Sequence, residues 1–225
     1  MNESNVETGS VGNFTMGEES RDFAAPLGGA TAGKLEIVNG ATKVVLRTES
    51  AMSDLVRAHF EGPTPEVEAR SGIVTIRYPR FAPAEWIQFG LLRNKHAADV
   101  VLNTTIPWTV VIDRGVTKLE ADLSALRLSS FEIDGGASDV ELTLPKPLGV
   151  VQVRIGGGVS KFTIHRPAGV PVRVQIKGGA SQFALDDQRF GAIGGETRMN
   201  SQHDQNAPDR YEIAIGGGAS RLTID

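Results

Sequence analysis

The chain has 225 residues, of which 23 are lysine or arginine and 27 are aspartate or glutamate, giving a formal net charge of −4. That balance does not suit a generic nucleic-acid binder, which needs a clustered cationic face, so nucleic acid is not expected among the partners. The absence of cysteine excludes disulfides, thiolate zinc sites and thiol nucleophiles, and 26 glycines against two tryptophans and two tyrosines favour a regular, narrow β architecture.

Residues 1–33 are polar, with no cationic leader and no apolar run of signal length, and are expected to form a disordered tail. No run of about 18 apolar residues occurs anywhere, so the reading is a cytoplasmic chain that meets a membrane only through a partner. "LEIVNGATKVVL" from Leu35 reads as two short strands about a glycine, and "SDLVRAHFEG" keeps Val56, Ala58 and Phe60 in period two, which predicts a strand. "VEARSGIVTIRYP" predicts a hairpin turning at Ser71 and Gly72, and "ADVVLNTTIPWTVVI" a degenerate repeat unit. The polar stretch "RMNSQHDQNAPDR" is expected to be a loop or a poorly matching turn of the coil.

Beyond Leu35 the strand pattern recurs. Six copies share apolar, x, Ile, x, x, Gly, Ala/Val, Ser/Thr, x, apolar, x, apolar: "LEIVNGATKVVL", "VVIDRGVTKLEA", "FEIDGGASDVEL", "VRIGGGVSKFTI", "VQIKGGASQFAL" and "IAIGGGASRLTI". The anchors are Gly40, Gly115, Gly136, Gly158, Gly179 and Gly218, and from Gly115 to Gly179 they fall 21, 22 and 21 residues apart. An odd separation, such as Ile155 to Phe162, would send the two flanks of an unbroken strand to opposite faces. Both flanks reach one core only if the chain corners at the glycines, which also let neighbouring backbones approach.

The predicted fold is therefore all-β, a single-stranded right-handed parallel β-solenoid with about 21–22 residues and three short faces per rung. It is expected as one domain over 34–225, irregular over 34–109 and regular over 110–225 with a loop near 186–210. The isoleucines should form one interior column and Leu119, Val140, Phe162 and Phe183 another, with Thr117, Ser138, Ser160 and Ser181 as a hydroxyl ladder. Because the last copy ends at Asp225, either neighbouring strands or another copy must cover it, and a homo-oligomer through the solenoid ends is an expected state.

No catalytic frame emerges. There is no nucleophile elbow, the repeated serines belong to the ladder, and His59, His96, His165 and His203 are scattered without metal-ligand spacing. The glycine clusters, "FGAIGG" included, lack the following helix that a phosphate cradle requires, so no cofactor and no metal are expected. One column does carry charge: Lys43, Lys118, Asp139, Lys161, Gln182 and Arg221 follow the Ser/Thr position, and stacking would align Lys43, Lys118, Lys161 and Arg221 as a basic stripe. It reads as a solvated face or as a site for an anionic partner. His165, Arg166, Asp186 and Asp187 form the one local cluster suited to a carbohydrate-active β-helix.

The series "GGASDVELTLPKPLG", "GGVSKFTIHRPAGVPVRV", "GGASQF" and "YEIAIGGGASRLTI" resembles the bacterial toastrack family, including the carboxy-terminal domain of LiaF-like cell-wall-active-antibiotic-response proteins and related adhesin-like proteins. The resemblance spans Leu35 to Asp225. It implies a non-enzymatic module, often joined to membrane segments or small regulatory domains and associated with envelope stress. The expected function is thus a non-enzymatic binding or scaffold module in cell-envelope stress response, whose partner is a protein or envelope component. The alternatives are a carbohydrate-active or glycan-binding β-helix and a self-assembling structural protein.

Overall fold

The computed structural model describes residues 14–15, 21–79, 97–202 and 206–225. In chain order its strands are β1 (Phe14–Thr15), β2 (Asp22–Pro26), β3 (Gly33–Val38), β4 (Ala41–Glu49), β5 (Asp54–Glu61), β6 (Glu66–Arg70), β7 (Ile73–Arg77), β8 (Ala97–Asn103), β9 (Pro107–Ile112), β10 (Val116–Asp122), β11 (Arg127–Ile133), β12 (Ala137–Thr143), β13 (Val150–Ile155), β14 (Val159–His165), β15 (Val172–Ile176), β16 (Phe183–Leu185), β17 (Gln188–Phe190), β18 (Thr197–Asn200), β19 (Arg210–Ile215) and β20 (Ala219–Ile224). They form two ten-stranded sheets. The first runs β1-β6-β7-β3-β9-β11-β13-β19-β15-β18 and the second β17-β16-β20-β14-β12-β10-β4-β8-β5-β2.

Each glycine motif is an arch: its first strand lies in one sheet, the chain corners at the glycine, and its second strand lies in the other. The arches stack in parallel and in register. Ile76, Ile37, Ile112, Ile133, Ile155, Ile215 and Ile176 pair successively across the first sheet, and each is at most 1% exposed. Across the second sheet Val44, Leu119, Val140, Phe162, Leu222 and Phe183 form the matching column. The core is the slab between these columns, so each rung has two strand faces where three were expected.

Corner geometry explains the glycines. Backbone amides step from one arch to the next: Ala41 N donates to Gly115 O at 3.2 Å, Val116 N to Gly136 O at 3.2 Å, and Ala137 N to Gly158 O at 3.0 Å. A Cβ on Gly115 would sit 2.6 Å from Gly136 O, and one on Gly217 would sit 2.6 Å from Gly158 N. Among the six anchors a left-handed φ occurs at Gly40 and Gly179. Close approach is therefore the more general requirement.

The expected single parallel coil holds in sequence order from β9 to β14 and gives way at both ends. The arch β19–β20 lies between β13–β14 and β15–β16. At the other end, β3–β4 lies between β9–β10 and a layer made of β7 and β8. The first two and the last two layers are thus transposed relative to the sequence. The last copy is covered on both sides by strands of its own chain.

Beyond these layers the pairing turns antiparallel: β6 with β7, β5 with β8, β2 with β5, β18 with β15, and β17 with β16. Strand β5 and the hairpin at Ser71 and Gly72, where φ is +51° and +82°, match the sequence reading. Asp22–Pro26, expected in the polar tail, is instead a strand, and Thr197–Asn200, expected in a loop, is another. Tail residues 1–13 and 16–20 lie outside the described residues, as does 80–96 in the irregular part.

One buried polar hub fastens the irregular end. Asn103 is fully buried; its Nδ2 donates to Met52 O at 2.8 Å and Asp54 O at 2.7 Å, while its Oδ1 accepts from Thr105 N at 2.8 Å. The corner account makes a sharp contrast between two alanine substitutions. Gly115→Ala should lose about 1–3 kcal/mol through backbone overpacking. Gly191→Ala, where a Cβ meets nothing within 4 Å, should stay within about 0.5 kcal/mol of the parent. Urea midpoints of the two variants measure this difference.

Candidate functional site

The residue after each corner glycine points inward, the next two point outward, and the fourth points inward again, as in Val116, Thr117, Lys118 and Leu119. This two-residue outward step restores parity after the corner. It also puts a hydroxyl and the repeated charged position side by side on the same edge. Ser181 Oγ donates to Ser220 O and Ser220 Oγ to Ser160 O, both at 2.8 Å, so the hydroxyls bridge successive arches.

Along this edge Lys43, Lys118, Asp139, Lys161 and Arg221 are direct neighbours in register. Sequence spacing placed this column, and the structure brings its four cations together in that order. Beside it runs an open groove of about 380 Å³ lined by Gly115, Thr117, Gly136, Ser138, Gly158 and Ser160. Its floor is backbone and small side chains because larger ones would block arch stacking. Lys118 Nζ lies 2.7 Å from Glu120 Oε1. That hydrogen bond and charge raise the lysine above its ordinary value and lower the glutamate below its own. Lys161 is paired with Asp139 at 3.0 Å. Among the described residues Arg221 makes no salt bridge.

The other cluster picked out by the sequence is built for structure. The Arg166 side chain is 3% exposed; it donates from Nη2 to Asp186 Oδ1 at 2.6 Å and from Nε to Val170 O at 2.9 Å. His165 Nδ1 lies 2.7 Å from Asp225 Oδ1. Asp187 falls in the turn between β16 and β17. These contacts tie β14 to the last arch and to β16, leaving Arg166 unavailable to a substrate. His96 and His203 lie outside the described residues.

Sequence reasoning missed a second concavity, of about 450 Å³, on the outer face of the second sheet. Asp22, Arg47, Arg57, His59 and Asp99 line it, with His59 Nδ1 at 2.7 Å from Asp22 Oδ1 and Arg47 at 3.1 Å from Asp99. These residues come from β2, β4, β5 and β8, and no local motif links them. Only the pairing order of the strands brings them together. Each of these side chains has a partner within the chain.

On the outer face of the first sheet, Glu212 accepts from Gln152 Nε2 at 2.8 Å and from Arg210 Nη2 at 2.9 Å. These bonds, with the charge of Arg210 and Arg173, hold its carboxyl below the ordinary value of 4.5. Burial pushes the Tyr78 and Tyr211 phenols above their ordinary range; Tyr211 OH donates to Pro145 O at 2.7 Å.

The stack of glycine-cornered arches with a repetitive edge is an all-β repeat architecture. The profile of the N-terminal domain of toast_rack, DUF2154, matches residues 13–165, and the chain belongs to this family. The match ends at the last residue of β14, before the two transposed arches. No curated protein matches the sequence. Among solved structures, a "putative cell adhesion protein" from Clostridium sporogenes is 19% identical with a TM-score of 0.65, covering 95% of this chain and 100% of its own. A "putative adhesin" from Bacteroides fragilis is 8% identical with a TM-score of 0.31, covering 96% and 98%. The first likeness shows a shared fold.

A carboxylate held below its ordinary value stabilises the fold above that value and loses the contribution as the pH falls through the lowered one. The parent should therefore lose more stability than Glu212→Gln on going from neutral pH to below 4.5. Denaturation midpoints of the two proteins across that range would show their difference shrinking in acid.

Proposed function

We propose that this chain is a non-enzymatic binding and scaffold module in bacterial cell-envelope regulation, and that an anionic partner docks along the edge formed by Lys43, Lys118, Lys161 and Arg221. The observation that carries this reading is the in-register alignment of the four cations beside a groove free of bulky side chains. Neighbouring strands lie about 4.8 Å apart, so the edge offers an extended, repetitive anion donors at multiples of that spacing, interrupted by Asp139. The toast-rack family membership and the adhesion-type structural neighbour support a binding role.

The fold also suits a scaffold. Residues 34–225 act in this reading as one unit, and the crossover from β9 through β10 to β11 takes the right-handed sense that strand twist imposes. No helix among the described residues is long and apolar enough to cross a membrane. The module works on the cytoplasmic side and reaches the envelope through its partner. The carbohydrate-active alternative gains nothing from its candidate cluster, since Arg166 is sequestered by Asp186.

Partner capture from a bacterial lysate, with and without crosslinking, tests the reading. The intact chain should retain a defined anionic partner that a variant with Lys43, Lys118, Lys161 and Arg221 replaced by serine loses. Asp139→Asn, which removes the carboxylate interrupting the stripe, should tighten binding and make it more sensitive to salt. Retention unchanged in both variants would move the site away from this edge.

A further inference from the structure

The arch β19–β20 comes last in the sequence, yet it is a wedge between two layers that precede it. It is part of the core: Tyr211, Ile213, Ile215, Ala219, Leu222 and Ile224 are each at most 5% exposed. Both walls of its slot carry the same motif as the wedge. Val150–Ile155 pairs with Arg210–Ile215 over six consecutive positions, and Val172–Ile176 pairs with Tyr211–Ile215 over five.

The 24 residues 186–209 that connect β16 to β19 contain β17 and β18, and these pair with β16 and β15. The two strands of the connection are thus fastened to the far wall of the slot, and its last residue, Asp209, accepts from Gly149 N at 2.6 Å beside the near wall. The nine residues 201–209 that follow β18 would reach about 30 Å when extended, more than one strand spacing. Closing the slot without the wedge would place Phe162 directly beside Phe183, positions that Leu222 now separates. The slot is therefore shaped for an inserted arch, which follows both walls in the sequence.

We propose that this slot is a strand-exchange site, in which the Arg210–Asp225 arch of a second copy takes the place of the chain's own. The exchange preserves every backbone pairing and every inward side chain, and differs from the closed chain only in the path of the connection. The partner is identified by the slot itself: an arch reading apolar, x, Ile, then glycines, Ala or Val, Ser, x, apolar, x, apolar. This contact lies inside the stack and does not depend on the proposed anion edge.

The chain's lack of cysteine makes a direct test available. Lys161 and Arg221 are exposed, in-register neighbours on β14 and β20, at a separation a disulfide can span. Differently tagged Lys161→Cys and Arg221→Cys proteins are unfolded together, refolded at high concentration and oxidised. Exchange predicts a covalent heterodimer enriched about tenfold over the same proteins refolded apart and then mixed. A Lys118→Cys and Arg221→Cys pair, whose positions are not neighbours in either arrangement, should show no enrichment.

The double variant Lys161→Cys/Arg221→Cys reports that the arch is seated, and its share of intermolecular links should rise with refolding concentration. The proposal is overturned if the double variant closes wholly within one chain at every concentration and the single variants give no heterodimer. It is equally overturned if the Lys118→Cys control links as well as the test pair.

Discussion

Backbone stacking at the glycine corners is the constraint on which the rest of the structure depends. Where one arch turns, its neighbour's carbonyl occupies the space a side chain would need, as Gly136 O does above Gly115. Only a chain without Cβ at that point lets amides and carbonyls of successive arches meet, and unpaired buried amides would otherwise be costly. The corner then fixes register. Once glycine lies over glycine, isoleucine lies over isoleucine on one side and the large apolar residues align on the other. The two-residue outward step after the corner follows from the need to bring both flanks to one core, and the hydroxyl and charged columns are its geometric consequence.

Transposing the terminal arches answers the edge problem that such a stack creates. A run of parallel strands stacked in sequence order would end in long, apolar strands with unpaired backbone groups. Here each sheet ends in short antiparallel strands: two residues in β1, four in β18, three in β17, and five in β2 with Pro26 at its end. Phe183 and Phe190 stack at 5.6 Å where the last hairpin closes the core. The arches with the strongest motif sit inside, protected on both faces, while weaker pairings face solvent.

Much of this was legible in the sequence because glycine and isoleucine recur at fixed positions and parity forces the corner. The interior columns, the hydroxyl ladder and the in-register cation column all follow from that one pattern. The order of the arches was not legible. Every copy presents the same register, so pairing 153–164 with 174–185 satisfies the motif as well as pairing it with 213–224. The layer of β7 and β8 was hidden for another reason. Ile76 and Ala98 belong to the same stack but are separated by 21 intervening residues, and no glycine signature joins them. Asp22, His59 and Asp99 meet only because β2, β5 and β8 pair, so the concavity they line had no sequence signal.

The redundancy that conceals the order also shapes what the molecule can do. A stack of interchangeable arches gains stability from contacts between neighbours, each arch adding a similar increment. Specificity for one arrangement must then come from the few places where copies differ, such as Leu222 between two phenylalanines or the His165 and Arg166 contacts to Asp225 and Asp186. The edge proposed to bind an anionic partner is built from the same repeats and inherits this character. Its four cations sit in separate layers, with Asp139 between Lys118 and Lys161, and each is individually modest and screened by salt, so on the proposed reading affinity accrues only to a partner long enough to engage several layers at once. If the proposed edge binds, the same repeat geometry favours extended partners over compact ones.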